Sequence, residues 1–397
     1  MPRLADRIEQ LTESQTIAMA QLSRELQAQG LDIISLSLGE PDYDTPDEIK
    51  EGAKKAIDEG YTKYSPIAGF LDLRQAICRK FKNENGLEYT PDQIVVSTGA
   101  KQSIANVVLC LINPGDEVVV PAPFWVSYSQ IIKLAGGIPV YVPTTVDTDY
   151  KVSASQLEAA ITPKTRMLIF SSPCNPSGTV YAKEELEDIA RVVAKYEDLY
   201  IISDEIYEHI NFGGEHVSIA SFEFIRDRVV VVNGVSKGYA MTGWRIGYIG
   251  APVWIAKACD KMQGQFTSGA SSISQRAALA ALNSGGAFFK EMCDTYRRRR
   301  DLVVDALRQI PGMKVNVPMG AFYVFPDVSG FFGKTDGATT IHNPNDLSMY
   351  LLRDAQVAVV TGEAFGDDRC IRISYATSDD LLHKAMERIA NSLKKLR

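Results

Sequence analysis

Short apolar runs alternate with amphipathic segments through the middle of the chain, and this alternation is its clearest structural signal. The runs are rich in valine and isoleucine, which pack well on a pleated surface and favour strands. Strands are predicted at Ile94–Val96, Glu117–Val120, Pro139–Val142, Met167–Phe170, Tyr200–Ile202, Val229–Val232 and Ile246–Ile249. Helices are predicted between them, among others at Phe124–Ala135, Ser155–Ile161 and Lys183–Lys195. Strands that alternate with helices predict an α/β fold, with a mainly parallel sheet and helices on both faces.

The pattern differs on both sides of this region. Before the alternating region, the sequence predicts a polar arm, a helix capped by Ser14 or Thr16, and a second helix with Thr45 as its capping residue. The other predicted elements are strands at Ile33–Leu38, Met313–Val317, Gly320–Phe325, Val357–Val360 and Cys370–Ser374, and helices at Leu71–Asn83, Ser274–Gln309, Asn345–Asp354 and Leu381–Leu396. We therefore expect an N-terminal arm with part of a small domain in residues 1–45, a large domain in 46–290, and a small α+β domain in 291–397.

Composition excludes several classes of protein. A formal net charge of −7 over 397 residues disfavours nucleic acid and anionic membranes as partners. The six cysteines show no zinc-binding or CxxC spacing, which indicates free thiols in a reducing compartment and predicts no metal site. Because the chain shows neither a signal-peptide pattern nor an apolar stretch of membrane-spanning length, we expect a cytoplasmic protein.

A lysine directly after a buried strand is the first sign of chemistry. Lys237 follows the valine run and the Asn233-Gly234 turn, and Arg245 comes eight positions later. Desolvation favours the neutral amine of lysine, which attacks carbonyls, and arginine suits a phosphate. Lysine after a strand is, however, commonly a solvated loop residue. A sharper alternative is the motif G-x-S-x-G at positions 234–238, which would make Ser236 the nucleophile of an α/β-hydrolase.

Other strand ends carry polar groups that would meet at the same edge of the sheet. Gly99–Lys101 opens a helix and offers free amides to an anion. Asn175 lies between two prolines, Asp204 and Tyr207 are three positions apart, and Trp125 follows another strand. Taken singly, Gly99–Lys101 suits an ordinary helix start, Asn175 a turn, Asp204 a helix cap and Trp125 core packing. Together with the lysine, they supply the imine-forming amine, the acid for a ring nitrogen and the phosphate site that pyridoxal phosphate needs.

These motifs give the chain a family resemblance over nearly its whole length. It resembles the class I aminotransferases, and most closely the bacterial aspartate aminotransferase subgroup that also contains prephenate aminotransferases. The resemblance is carried by LGEPDYDTP, TKYSPIAG, STGAKQ, PAPFWVSY, SPCNPSG, SDEIYEH, SKGYAMTGWRIGY and IRISYATS. It implies the pyridoxal-phosphate-dependent transferase fold type I, with a seven-stranded sheet in a large cofactor-binding domain.

The resemblance also implies the roles of individual residues. Lys237 would carry the internal aldimine and move the proton, with Asp204 on the ring nitrogen. Further cofactor contacts are implied for Tyr207, Asn175, Trp125, Ser236, Arg245, the backbone of Gly99, Ala100 and Lys101, and Tyr64 from the second subunit of a homodimer. Substrate contacts are implied for Arg372 on the α-carboxylate with Gly39, Asn175 and Trp125 alongside, and for Ser14, Thr16 and Lys101 on a distal carboxylate.

The implied reaction is ping-pong transamination of L-aspartate with 2-oxoglutarate, giving oxaloacetate and L-glutamate through the Lys237 aldimine. Two positions depart from the family pattern. Gly234 replaces a serine that binds phosphate in many relatives, and Thr12-Glu13 stands where prephenate-using members carry a basic residue. The second departure predicts weak activity toward prephenate. The alternatives are an aminotransferase for aromatic donors, alanine or prephenate, a pyridoxal-phosphate-dependent C–S lyase or synthase, and a non-enzymatic regulator on the same fold.

Overall fold

The structure is a computed structural model that describes residues 4–397, so the first three residues of the predicted arm lie outside the described part. The helices are α1 (Asp6–Glu9), α2 (Gln15–Ala28), α3 (Asp47–Asp58), α4 (Leu71–Asn85), α5 (Ala100–Leu111), α6 (Ser127–Leu134), α7 (Ala154–Ala160), α8 (Lys183–Ala194), α9 (Val253–Phe266), α10 (Ser272–Asn283), α11 (Ala287–Arg308), α12 (Pro344–Tyr350) and α13 (Asp379–Leu393). The strands are β1 (Ile34–Ser35), β2 (Ile94–Ser97), β3 (Glu117–Ala122), β4 (Ile138–Pro143), β5 (Thr165–Ser171), β6 (Tyr200–Asp204), β7 (Val229–Gly234), β8 (Gly247–Gly250), β9 (Tyr323–Val324), β10 (Val357–Ala358), β11 (Val360–Thr361) and β12 (Ile371–Ser374).

The valine-rich runs form one seven-stranded sheet in the order β2-β8-β7-β6-β5-β3-β4. Strand β8 is antiparallel to both of its neighbours, whereas the other pairs are parallel. The four valines of β7 are completely buried. Val229 and Val231 belong to the apolar core on one face of the sheet, and Val230 and Val232 to the core on the other. This alternation confirms the predicted sheet with helices packed on both faces.

The C-terminal part of the chain builds a second, smaller layer. The antiparallel sheet β11-β12-β9 and the short parallel pair β1-β10 pack with α11 and α13 around a separate apolar core. This core joins Ile34 near the N-terminus to residues from Met292 to Leu396, and four side chains from Ile206 to Phe212 of the large layer pack into it. We keep the domain boundaries near residues 45 and 290 as a proposal, which this division of the cores supports.

Several predicted elements are wrong in extent or type. The helix predicted over residues 274–309 is two helices, because Gly285 and Gly286 adopt left-handed φ values of 77° and 72° between α10 and α11. The predicted strand at 313–317 is absent from the described residues apart from a single bridge at Lys314. The chain there turns away, and the amides of Met319 and Gly320 donate to the Gly178 carbonyl oxygen.

Local partners explain the other differences. The predicted strand over residues 357–360 is divided between two sheets, because β10 pairs with β1 and β11 with β12. The strand predicted at 33–38 is reduced to β1, and the helix predicted from 124 begins at Ser127. Thr45 does not cap α3, because its hydroxyl donates to the Ala240 carbonyl oxygen at 2.7 Å. Ser14 stands at the N-cap of α2, but its side chain accepts no capping hydrogen bond.

Candidate active site

A cavity of about 370 Å³ lies beyond the carboxyl ends of the parallel strands, where ligands of open α/β sheets bind. The N-terminal arm, the loops that follow β2, β3, β5, β6 and β7, and strand β12 all contribute to its wall. The predicted site residues that line it are Ser14, Thr16, Gly39, Ala100, Lys101, Trp125, Asn175, Asp204, Tyr207, Ser236, Lys237, Arg245 and Arg372. The structure therefore gathers almost the whole predicted set around one space, although its members are distributed over more than 350 positions of sequence.

The amine of Lys237 lies at the centre of this cavity. Its Nζ donates to the Gly39 carbonyl oxygen at 2.6 Å and lies 5.7 Å from the ring centre of Tyr207. Burial lowers the pKa of the Lys237 amine from its ordinary value to about 8. A lowered pKa raises the neutral fraction of the amine near physiological pH, and the neutral amine is the form that attacks a carbonyl.

Asp204 is the buried acid of the site. It ends β6 with 5% of its surface exposed, and its Oδ2 accepts a hydrogen bond from the Tyr128 hydroxyl at 2.7 Å. Burial raises the pKa of the Asp204 carboxyl to about 6, although the Tyr128 hydrogen bond acts in the opposite direction. Tyr128 was not among the predicted residues, although it belongs to the PAPFWVSY stretch. Its place in the first turn of α6, directly after β3, was the available signal.

Replacing Tyr128 with phenylalanine tests the importance of this contact. The Tyr128→Phe variant keeps the ring but loses the hydrogen bond to Asp204, so the carboxylate becomes less well positioned and its pKa rises further. We expect the affinity for pyridoxal phosphate to fall about tenfold, with little loss of thermal stability. Spectroscopic titration of the cofactor-free protein measures this. Unchanged affinity from pH 5 to 8 would show that Tyr128 only fills space.

Two tyrosines connect the remaining side chains. The hydroxyl groups of Tyr207 and Tyr323 lie 2.7 Å apart, and both residues are buried. The guanidinium of Arg372 lies 4.7 Å from the ring centre of Tyr323. Tyr323 also limits position 39, because a Cβ added at Gly39 would touch the tyrosine oxygen. Sequence reasoning missed Tyr323, which stands in a strand with no polar motif around it.

Arg372 is a buried cation that is only partly satisfied within the chain. It donates to Asn175 Oδ1 at 3.0 Å and to the Ser37 carbonyl oxygen at 2.5 Å. Its Nε is buried with no hydrogen-bond partner among the described residues, and 2% of the residue is exposed. Because unpaired buried donors cost free energy, a bidentate ligand such as a carboxylate suits this guanidinium.

The opposite end of the cavity suits a phosphate. Gly99 has φ 81° and precedes α5, whose first amides lack intrahelical acceptors. The Arg245 guanidinium packs against Gly99 so closely that a Cβ there would collide with it. Ser236 also reaches the cavity. The missing serine at Gly234 has a steric reason, because a Cβ there would come within 2.8 Å of the Ile246 carbonyl oxygen across the β7–β8 pair.

The predicted residues for a distal carboxylate also line the cavity. Ser14 and Thr16 come from the N-terminal arm, and the Thr16 hydroxyl is buried with no hydrogen-bond partner among the described residues. The Lys101 ammonium lies 5.1 Å from the ring centre of Trp125. Tyr64 does not line the cavity and is 99% exposed.

These groups fit pyridoxal phosphate. A partly neutral amine, a buried acid, and a phosphate site at a helix N-terminus with an arginine surround one cavity, and the unpaired Arg372 Nε and Thr16 hydroxyl leave donors for a substrate. The hydrolase alternative does not fit, because no histidine is among the described residues that line the cavity with Ser236.

Known proteins match the chain over nearly its full length. The family described as aminotransferase class I and II matches residues 31–389. The bifunctional aspartate aminotransferase and glutamate/aspartate-prephenate aminotransferase of Petunia hybrida is 50% identical over 395 residues, which cover 98% of this chain and 82% of the relative. The aspartate/prephenate aminotransferase of Cereibacter sphaeroides is 47% identical over 392 residues, 98% of each chain.

A solved structure gives the same result. The crystal structure of the aspartate aminotransferase from Rhizobium meliloti shares 42% identity with this chain, covers 100% of both chains, and has a TM-score of 0.97. The likeness confirms the predicted fold type I, the dependence on pyridoxal phosphate and the enzymatic activity, and it argues against the hydrolase alternative. This chain belongs to the class I and II aminotransferases.

Proposed function

We propose that this aminotransferase transfers the amino group of L-aspartate to 2-oxoglutarate, giving oxaloacetate and L-glutamate. The observation that carries the proposal is the pair of unsatisfied buried donors among the described residues that line one cavity. Arg372 Nε and the Thr16 hydroxyl have no partner among the described residues, and the cation of Lys101 lines the same cavity. A substrate with carboxylates at both ends satisfies both groups, as aspartate and 2-oxoglutarate do.

The protein holds the reacting groups in a fixed arrangement. When bound, pyridoxal phosphate supplies an electron sink that makes the substrate Cα–H acidic. Lys237 takes up and returns the proton with its amine, whose pKa near 8 leaves it both a base and an acid at neutral pH. Asp204 would hold the ring nitrogen in its charged form, and Tyr207 would donate to the ring oxygen with its hydroxyl held 2.7 Å from that of Tyr323.

We assign the substrate and cofactor contacts to residues at the strand ends of the large sheet and of the smaller C-terminal layer. Arg372 holds the α-carboxylate with Asn175 alongside, and Trp125 covers the ring of the cofactor. The Gly99–Lys101 backbone, Ser236 and Arg245 hold the phosphate. These assignments remain proposals for each residue, and they are supported by the shared cavity and by the hydrogen bond between Arg372 and Asn175.

A homodimer belongs to the proposal as well. Tyr64 is too exposed to serve its own cavity, so we propose that it contacts the cofactor phosphate of a second copy. The described residues include no helix long and apolar enough to span a bilayer. All six cysteines are free thiols, which supports the proposed cytoplasmic location, where thiols stay reduced.

The substrate class can be tested at Lys101. The Lys101→Met variant keeps the aliphatic stem and the backbone amide but removes the charge. We expect kcat/KM for aspartate to fall about 10- to 100-fold, because a charged hydrogen bond to the distal carboxylate is lost. Activity with alanine, which has no distal carboxylate, should change less than about threefold.

Steady-state assays with aspartate, alanine and phenylalanine on the wild type and the variant measure this difference. Thr16→Val is the matched control from the arm, since it removes a hydroxyl without removing charge, and it should show the same preference to a smaller extent. A wild type that prefers phenylalanine, or an equal loss for aspartate and alanine, would contradict the dicarboxylate proposal.

Prephenate is the second candidate acceptor, because both relatives described above carry prephenate aminotransferase in their names. Thr12 and Glu13 precede the arm residues of the site here, and neither side chain is basic. The Thr12 amide donates to Gln130 Oε1 at 3.0 Å, and the Glu13 side chain is exposed. Assays with prephenate and 2-oxoglutarate in competition for the aminated enzyme decide between the two acceptors.

A further inference from the structure

The turn that carries Asp204 and Tyr207 has a second polar face. Asp204 and Tyr207 line the cavity described above, whereas Glu208 and His209 line another cavity of about 520 Å³. Glu205 also points away from the reacting groups and accepts hydrogen bonds from the Ser203 and Ser218 hydroxyls. Buried carboxylates with no part in the reaction need an explanation, because burying a charge is costly.

Glu208 is the one of these carboxylates that contacts both the large sheet layer and the end of β7. Its Oε1 accepts hydrogen bonds from Lys80 and from Asn233 Nδ2, the latter at 2.8 Å, and its Oε2 accepts one from Asn85 Nδ2 at 2.8 Å. The side chains of Lys80 and Glu208 are 2% and 3% exposed. Burial would raise the pKa of the Glu208 carboxyl, but the positive charges of Lys80, His209 and His216 outweigh this effect and lower it.

These contacts connect two parts of the proposed active site. Lys80 and Asn85 belong to α4 and anchor the carboxylate in the large sheet layer. Asn233 ends the valine run of β7, and its Oδ1 accepts the amide of Gly234, three positions before Lys237. Glu208 itself follows Tyr207 directly. One carboxylate therefore spans the turn that carries Tyr207 and the strand end that carries Lys237.

The same cluster also has the composition of a metal site, but the lysine argues against one. Ligand atoms of Glu84, Glu208 and His209 lie within 4.8 Å of one another. The Lys80 ammonium already contacts Glu208 and lies 3.6 Å from Glu84 Oε2. A divalent cation would have to displace this buried ammonium. The Lys80 ammonium therefore neutralises the carboxylates in place of a metal ion.

We propose that Glu208, neutralised by Lys80, is a positioning residue that fixes the Tyr207 turn against the Lys237 strand end through Asn233. The inference rests on the proposed roles of Tyr207 and Lys237. This role would explain why the chain buries the Lys80–Glu208 ion pair, since two apolar side chains in its place would usually make the folded protein equally stable.

Two matched variants test the proposal on the full-length protein. Asn233→Ala removes the 2.8 Å bond from Glu208 toward Lys237, and Asn85→Ala removes a bond of equal length toward α4. Both lose one amide–carboxylate hydrogen bond and one bond to the amide oxygen, which accepts the Gly234 amide in Asn233 and Lys80 Nζ in Asn85, each at 2.7 Å, so they should be destabilised to a similar degree. The readouts are the dissociation constant of pyridoxal phosphate and, in the cofactor-free protein, the pH midpoint for chemical modification of Lys237, followed by mass spectrometry.

We expect Asn233→Ala to weaken cofactor binding about tenfold and to move the Lys237 midpoint, with kcat reduced more than KM is changed. Asn85→Ala should keep both values within about threefold of the wild type. Equal effects of the two variants would overturn the inference. A wild type in which the cofactor does not attach to Lys237 would instead refute the proposed function, so the two failures are distinguishable.

A second pair of variants keeps the test open if Asn233→Ala does not fold. Lys80→Met with Glu208→Gln removes both charges but retains an acceptor for Asn233, and Lys80→Met with Glu208→Ala removes that acceptor as well. The first double variant should bind the cofactor within about threefold of the wild type, and the second about tenfold more weakly. Equal affinity of the two double variants would overturn the proposal.

Discussion

Replacing Lys237 with alanine should lower kcat/KM for aspartate by at least about 10³-fold, because the same amine attaches the cofactor and transfers the proton. Its position supports this expectation. The Nζ atom lies in the cavity within 2.6 Å of the Gly39 carbonyl oxygen, and its pKa is lowered to about 8. No other lysine ammonium among the described residues that line this cavity is available except Lys101.

The measurement combines kinetics with mass spectrometry after borohydride reduction, which fixes the cofactor to the residue that holds it. In the wild type the added mass should lie on the peptide with Lys237, and in Lys237→Ala it should be missing. In the cofactor-free wild type, modification of Lys237 should reach half its maximal rate near pH 8, since the amine reacts when it is neutral. Attachment at another lysine, or a midpoint above pH 10, would contradict the assignment.

Replacing Arg372 with methionine has the second-largest expected effect. The α-carboxylate would lose a buried, bidentate cation, so we expect kcat/KM for aspartate to fall about 10²- to 10³-fold, the equivalent of about 3 to 4 kcal/mol. The protein should still fold, because methionine has a similar length and the guanidinium lies between the rings of Tyr323 and Phe365.

The control for this variant is the choice of substrate. Every α-amino acid donor has the carboxylate that Arg372 is expected to bind, so activity with alanine should fall as steeply as activity with aspartate. In Lys101→Met only the dicarboxylate should be affected. Arg372→Lys should not restore activity, because an ammonium cannot form the two parallel hydrogen bonds of a guanidinium. A selective loss with aspartate in Arg372→Met would show that Arg372 holds the distal carboxylate instead.

The central sheet was predictable because its strands are short, valine-rich and buried on both faces. Val229–Val232 illustrates this, since its composition alone indicates a buried strand. The site residues were predictable for a related reason. Asp204 ends such a strand, Lys237 and Asn175 come three and four positions after one, and the carboxyl ends of parallel strands meet at one edge of a sheet.

Contacts between distant parts of the chain were not predictable from local pattern. The hydrogen bond from Tyr128 to Asp204 spans 76 positions, and the contact between Tyr207 and Tyr323 spans 116. Only the place of Tyr128 in the first turn of α6 hinted at its role, and Tyr323 has no polar motif around it. The same holds for Glu208, which reads as a surface glutamate until Lys80 and Asn233 enclose it.

The predicted bounds of some strands and helices were wrong for a different reason. A run such as residues 357–360 favours a strand, but the partner strand decides which sheet it joins, and here the run is divided between β1 and β12. The prediction of one helix over residues 274–309 left out the tendency of Gly285 and Gly286 to break a helix. Their left-handed φ values end one helix before the next begins.

The most direct test of the account is single-turnover spectroscopy of the purified wild-type protein. L-aspartate is added alone, and 2-oxoglutarate follows after the first reaction is complete. The account predicts that aspartate converts the absorption band of the bound aldehyde form of the cofactor into that of the amine form, with one equivalent of oxaloacetate, and that 2-oxoglutarate restores the first band. A band that does not change with aspartate but responds to phenylalanine, or that changes and never returns with 2-oxoglutarate, would contradict it.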